Sequence, residues 1–455
     1  MKWIKQVLVI TLSVVSLSAC VKVDISDDSG GTGGGGNTDD PNVSKILTGT
    51  VDKSITLAKG TYTLRGYVYV NNGATLTIEA GSIIKSDVTE KGALIIERGA
   101  KLIADGKVDQ PIIFTSGKAS GERAQGDWGG IILLGKAPTN RPTSPAPIIE
   151  GGVNRPYGGT DAADNSGTLR YVRIEFSGIA AEPNSEINGL TCGGVGSGTV
   201  LEFIQCSYGG DDSYEFFGGT VNAKNLVAFA TFDDDFDFDF GYSGKIQFGV
   251  SLRDKPSDTD QANGIECDND GTGTAATPFT KPYLSNFTFI GPYDTTGSSA
   301  LHGVSNRWRR SARFILRNSL LIGHRLGGFS LESAATATAY STGESIFKNN
   351  IVAVYGKPYI SGDAGAQGVI TDAAIKTKAE SEGNLTLATR DLVQLTDPFN
   401  LNAPNFLPKT GSPALTGFDF AGIDSYFATT TYRGAFGTTN WLQGWASFTP
   451  KTNNY

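Results

Sequence analysis

Two consecutive stretches of this chain, Gly209–Gly219 (GGDDSYEFFGG) and Thr231–Gly241 (TFDDDFDFDFG), superpose at a shift of 22 residues. Asp211 meets Asp233, Asp212 meets Asp234, Tyr214 meets Phe236, Glu215 meets Asp237 and Phe216 meets Phe238. An aromatic column and a carboxylate column run side by side with opposite parity. Successive side chains of a strand point to opposite faces, so the pattern reads as strands stacked one coil apart, rings inward and acids outward. Parallel coils lie about 4.8 Å apart, close enough for like rings to stack.

Short strands rich in β-branched residues and bounded by Gly, Asn or Asp recur from Thr61 to Val354, as at Thr75–Ala80, Leu169–Phe176, Val200–Cys206, Lys245–Leu252 and Phe314–Leu321. A 22-residue spacing suits a three-strand coil and is too short for a propeller blade of roughly 40 residues. The expected fold is all-β: a single right-handed parallel β-helix over residues 45–380, with loop insertions, followed by C-terminal coils and a cap over 381–455 that covers the last open coil. Residues 116–168 read as one long excursion carrying Pro138, Pro142, Pro145 and Pro147, with shorter insertions at 253–262 and 291–299. Helical periodicity is confined to short candidates at Asp372–Lys376 and near Asp391.

The ends carry a separate message. Lys2 and Lys5, an apolar run from Val7 to Leu17 and the box Leu17-Ser18-Ala19-Cys20 look like a bacterial lipoprotein signal over residues 1–19, leaving Cys20 as an acylated N-terminus in a membrane leaflet. Residues 20–44, with the run Gly33–Gly36 and scattered Asp, read as a flexible tether. The stretch Lys22–Asp28 is similar to acidic signals that send lipoproteins to the outer face of the outer membrane. No later apolar run reaches the ~18 residues of a membrane-spanning helix.

The formal charge is −8, with the carboxylates concentrated mid-chain. That balance argues against nucleic acid as a partner and favours cations or neutral ligands such as glycans. Cys192, Cys206 and Cys267 follow Cys20. A bridge between Cys192 and Cys206 is one reading; the other is buried thiols, because Cys192 and Cys267 share the inward parity of Phe216 and Phe238.

The candidate site is the acid ladder. Asp233, Asp235, Asp237 and Asp239 alternate with Phe236, Phe238 and Phe240 and are expected on one face, about 7 Å apart. Asp211 and Glu215 add the coil above. Gly264–Asp268 overlays Asp235–Asp239 at a shift of 29, so Glu266 and Asp268 add the coil below. Stacked carboxylates repel. A hard cation, arginine pairing, or raised pKa values with shared protons would each relieve the repulsion. Calcium is the expected cofactor, held by these eight carboxylates. A solvated or arginine-paired ladder, drawing on Arg307, Arg309, Arg310, Arg313 and Arg317, and a catalytic pair such as Asp212 with Asp234 are the alternatives. Trp128, Trp308, Asp212, Asp234 and His302 are the candidate ligand-binding residues, the tryptophans as stacking surfaces for sugar rings.

Several motifs, namely Gly126-Asp127-Trp128-Gly129-Gly130-Ile131, Leu169–Glu175, Gly209–Phe217, Phe232–Gly241, Tyr432–Phe436 and Trp441–Trp445, resemble a family of outer-membrane lipoproteins of Bacteroidetes and marine proteobacteria, often mislabelled "multidrug transporter". The resemblance covers most of residues 45–455. It implies a parallel β-helix on the cell surface with a TonB-dependent receptor as a partner, and it carries over no catalytic residue. The expected function is therefore a surface lipoprotein acting as a non-catalytic binding or accessory module for glycan or nutrient capture. A calcium-dependent polysaccharide lyase or hydrolase, and a structural envelope protein, are the alternatives.

Overall fold

The computed structural model describes residues 45–455 apart from 183–184, 258–260 and 293, so the signal, Cys20 and the tether lie outside the described residues. Among the described residues, twenty-seven strands form one sheet wound around an axis. Successive coils pair in parallel and in register, giving the all-β parallel β-helix. Three walls result. The first stacks Leu190–Gly193, Tyr214–Phe217, Phe236–Asp239, Ile265–Cys267, Val304–Trp308 and Gly327–Leu331. The other two are the halves of long strands such as Val200–Ser207, Asn222–Phe229 and Lys245–Leu252, which bend between walls. The bend falls on one residue per coil in the left-handed region: Phe203, Asn225, Phe248, Asn286, Asn318 and Asn349, with φ from 52 to 65°. Asparagine tolerates this conformation better than other side chains with a Cβ, and it takes the corner in the last three of these coils.

The interior is a stack of rings. Tyr214 lies 5.1 Å from Phe236 and Phe216 lies 5.3 Å from Phe238, nearly parallel in each case. Cys192 and Cys267 continue the Phe216–Phe238 column. All three described cysteines are buried free thiols, so the Cys192–Cys206 bridge is not formed. Burial pushes the Cys192 and Cys206 thiols up, which leaves them poor nucleophiles.

The proposed excursion at 116–168 is broken by a genuine strand. Ile131–Leu134 pairs with Leu94–Ile96 on one side and Leu190–Gly193 on the other. It is buried on both faces, because Ile149, Val153 and Tyr157 of the following loop pack over Ile132 and Leu134. A strand covered on both sides loses the alternation that marks a half-exposed one. Three helices, α1 (Ala334–Thr342), α2 (Ala364–Gln367) and α3 (Asp372–Ser381), sit near the end of the solenoid. α3 extends the expected candidate, whereas α1 has no sequence periodicity and rests on its Ser333 cap and Gly343 stop. Ala366, Ile375 and Ala379 pack into the core of the last coils. Among the described residues no helix is long and apolar enough to cross a membrane.

The C-terminal segment first adds Leu385–Thr386 to the last coil, in parallel with Ile351–Val352. From Asp419 onward it is a strap that runs back along the outside of one wall. Asp419 bonds Arg317, Ala428 exchanges bonds with Gln247, Ser447 does so with Gln205, and Tyr455 reaches Glu175 and Lys85. The cause is the outward row of that wall, where Val227, Phe229, Val250, Leu252, Ile290 and Ile322 form an apolar stripe. Phe436, Leu442 and Trp445 cover it. Trp445 presents its ring to the edges of Tyr171 and Phe203 at 6.0 Å.

Replacing the buried Trp445 by alanine is expected to destabilise the fold by about 3–5 kcal/mol, read as a lower urea midpoint. An unchanged midpoint would show that the strap adds nothing to stability. Alkylation followed by peptide mapping is expected to label Cys192, Cys206 and Cys267 only in denaturant.

Candidate carboxylate site

Register places the ladder on the outside of the first wall. Glu215 pairs with Asp237, Asp237 with Glu266, and Glu266 with Arg307. Phe217 pairs with Asp239 in the neighbouring outward row. Two residues before each strand lies a second column of Asn188, Asp212, Asp234 and Asn263, set by the same register. Its members tie one coil to the next. Asp212 Oδ1 accepts from the Asp234 backbone N–H at 2.8 Å, Asp234 Oδ1 accepts from the Asn263 N–H, and Asn263 Oδ1 accepts from the Val304 N–H at 3.1 Å. Asp212 and Asp234 are therefore buried, each with one oxygen committed to the corner.

Asp235 does not join the ladder. The strand begins at Phe236, so strand parity does not extend to the preceding residue. Asp235 is fully buried, 3.0 Å from Arg253 Nη1, and accepts from Ser251 Oγ. Arg253 is equally buried and also donates to the carbonyls of Asn263 and Asp233.

The ladder divides into two halves. At one end Arg307 lies 3.0 Å from Glu266, Arg309 lies 2.9 Å from Asp268 and also pairs with Glu266, and Arg310 lies 2.7 Å from Asp268. At the other end acids meet acids. Oxygens of Asp211, Asp212 and Asp233 come within 4.8 Å of one another, as do those of Asp212, Glu215 and Asp237. Asp212 belongs to both groups. Asn188 donates to Glu215, while Asp237 Oδ1 is buried with no hydrogen-bond partner.

The electrostatics follow this division. Burial, reinforced by neighbouring carboxylates, pushes Asp211, Asp212, Glu215, Asp234 and Asp237 well above the usual carboxylate range. Burial also lifts Glu150, which hydrogen-bonds Glu215, to about 7. Burial raises Glu266 too, with Arg309 and Arg307 opposing. Asp239 is raised by burial and by Asp268.

Three predicted ligand-binding residues lie elsewhere. Trp128 is buried, and its Nε1 donates to the Glu175 carbonyl at 2.8 Å. Trp308 takes the inward register of Cys267 and stacks on Phe314 at 4.3 Å. Neither is a surface for a sugar ring, because large rings at inward positions fill the solenoid core. His302 is buried with Nε2 2.9 Å from the Lys255 carbonyl, and burial lowers its pKa to about 3, so it stays neutral. Sequence reasoning missed Glu150, Asn188, Asn263 and Arg253. The Asn-Gly pairs at 188–189 and 263–264 were the available signal, since they fall at the repeat positions of Asp212 and Asp234. Glu150 comes from outside the repeat and had none.

With its parallel coils described, the chain can be placed: it belongs to the pectate-lyase-like β-helix domain family, whose model matches residues 49–389. Among solved structures it is similar to the pectate lyase Pel9A, at 12% identity over 87% of this chain and 88% of that one, with a TM-score of 0.33. No curated protein matches the sequence significantly.

The raised carboxyls predict an inverted pH response. In the unfolded chain they ionise near pH 4, whereas the fold retains their protons to higher pH, with Glu150 reaching about 7. The folded state binds more protons across that window, so its stability falls as pH rises through it. In chelator, Tm is expected to drop between about pH 5 and pH 8. A flat or rising profile would contradict the buried acid pairs.

Proposed function

We propose that the protein is a surface-anchored, calcium-holding β-helix that captures glycan without chemical turnover. Calcium is held in the acid-only half by Asp211, Asp212, Asp233, Glu215 and Asp237. The observation that carries the reading is that carboxylates there converge in two overlapping groups, with a buried oxygen of Asp237 left without a hydrogen bond. Hard oxygen donors on a rigid frame suit calcium, and a divalent ion offsets the burial and the mutual repulsion that raise these acids' pKa values. Asp235 is not a ligand in this reading, and Glu266 and Asp268 are neutralised by arginine instead. The anchor is acylated Cys20 in the outer membrane, the exposed side is the cell surface, and a TonB-dependent receptor is the partner.

The non-catalytic form is favoured because Arg307, Arg309 and Arg310 are engaged by carboxylates, and His302 lies buried against 254–255. A calcium-dependent lyase is the second reading, supported by family membership.

Calcium at one hundred times its Kd is expected to stabilise the fold by about 2.7 kcal/mol, seen as a rise in Tm that Asp237→Asn abolishes. Absence of any shift in millimolar calcium would sink the metal reading. Formation of unsaturated product from polygalacturonate, lost in Asp212→Asn, would replace the binding module with a lyase. Asn at position 212 retains the acceptor oxygen of the corner ladder, so loss of fold does not confuse the result.

A further inference from the structure

In the calcium reading every ligand comes from one side. Asp211, Asp212, Asp233, Glu215 and Asp237 belong to the first wall or to the turns that lead into it. One oxygen from each makes five, all from the solenoid. Calcium takes about six to eight oxygens, and a sheet presents its outward side chains on one face only.

Above that face lies a hairpin of the 116–168 excursion. The Ile149 N–H donates to the Arg155 carbonyl and the Tyr157 N–H to the Pro147 carbonyl, both at 3.0 Å, so 147–149 runs antiparallel to 155–157. The turn between them holds Gly151, Gly152 and Asn154 in the left-handed region. A Cβ at Gly151 would lie 2.4 Å from Ile187, so the glycine lets the turn seat against the segment entering the wall. Ile149, Val153 and Tyr157 pack with Ile132, Leu134 and Phe217. Arg155 pairs with Glu97 at 2.8 Å and lies over the Tyr69 ring.

These contacts are apolar or join opposite charges. Glu150 differs. It sits in the same turn and hydrogen-bonds Glu215, and its charge also acts on Asp211. Glu215 and Asp211 belong to different acid groups, so Glu150 stands over both. Two carboxyls in contact repel unless a proton or a cation lies between them. Asp237 Oδ1, in the same group as Glu215, is buried with no hydrogen-bond partner.

We infer, resting on the calcium reading, that Glu150 is a further ligand supplied from above the wall, and that the ion clasps the 147–157 hairpin to the solenoid. Calcium then has a second task, since its occupancy sets how firmly the roof of the site is closed.

The test compares the full chain with its Glu150→Gln and Asp237→Asn variants. Each is titrated calorimetrically with calcium chloride, and amide hydrogen exchange is followed in calcium and in chelator. Glu150→Gln is expected to weaken calcium binding about tenfold or more. Its Tm in chelator is expected to be unchanged or higher, because one of two touching acids is gone, so a folding defect does not explain the loss. In the unaltered chain calcium is expected to slow exchange of the Ile149 and Tyr157 amides, which close the hairpin. In Glu150→Gln that slowing is expected to vanish even at saturating calcium. A distant charge would alter affinity without tightening the hairpin, so the exchange readout separates it from a ligand. Asp237→Asn is expected to abolish binding and slowing together. Equal affinity in the unaltered chain and Glu150→Gln, or equal protection of the hairpin, would overturn the clasp and leave the wall site standing. No calcium binding by the unaltered chain would overturn both.

Discussion

In-register parallel pairing between coils is the constraint on which everything else in this molecule rests. Each coil repeats the backbone path of the one before it about 4.8 Å away, so a side chain's neighbours are its counterparts in adjacent coils. Tyr214 on Phe236 and Phe216 on Phe238 are the favourable product of that rule. Glu215 beside Asp237 is the unfavourable product of the same rule, one residue out of phase. A slip of one position would exchange the two rows and bury the acids where the rings now stack. The aromatic core and the crowded carboxylates are therefore one design, and neither can be removed from this wall without disturbing the other.

The molecule relieves this crowding in different ways along the wall. Where the ladder reaches Glu266 and Asp268, three arginines from the next coil meet it. Asp235 is taken inward to Arg253, whose guanidinium also serves backbone carbonyls at the corner. Such a buried pair adds little net stability, but removing one partner leaves a charge with no compensation. Asp212 and Asp234 give one oxygen each to the backbone of the following coil. What remains is the group around Asp212, Glu215 and Asp237, roofed by Glu150 from the neighbouring loop, where burial, reinforced by proximity, raises the acids above the usual carboxylate range.

The repeat was legible in the chain because its parity holds over Tyr214–Phe216 and Phe236–Asp239, broken only by the outward Phe217, and the shifts of 22 and 29 residues both match the observed pairing. Legibility ended where strands ended. Asp235 looked like a ladder acid because alternation was carried one residue past the start of its strand. Ile131–Leu134 was lost inside an apparent excursion because cover on both faces erased its pattern. The tryptophans were ambiguous since an inward ring and a stacking platform have the same sequence signal. The strap and the Glu150 contact join residues far apart in the chain with no shared period, and local reading has no access to such pairs.

The strap also changes what kind of solenoid this is. A plain stack of repeats draws its stability from nearest neighbours, so it can fray one unit at a time. Here Lys85 and Glu175 share Tyr455, and Asn318 is tied to Asp419. Remote coils are thus laced to a single late segment and gain or lose it together. During synthesis the apolar stripe from Phe229 to Ile322 must wait uncovered until the residues around Trp445 have emerged. That interval is when the chain is most open to unwanted association, and shielding by other factors would matter most then.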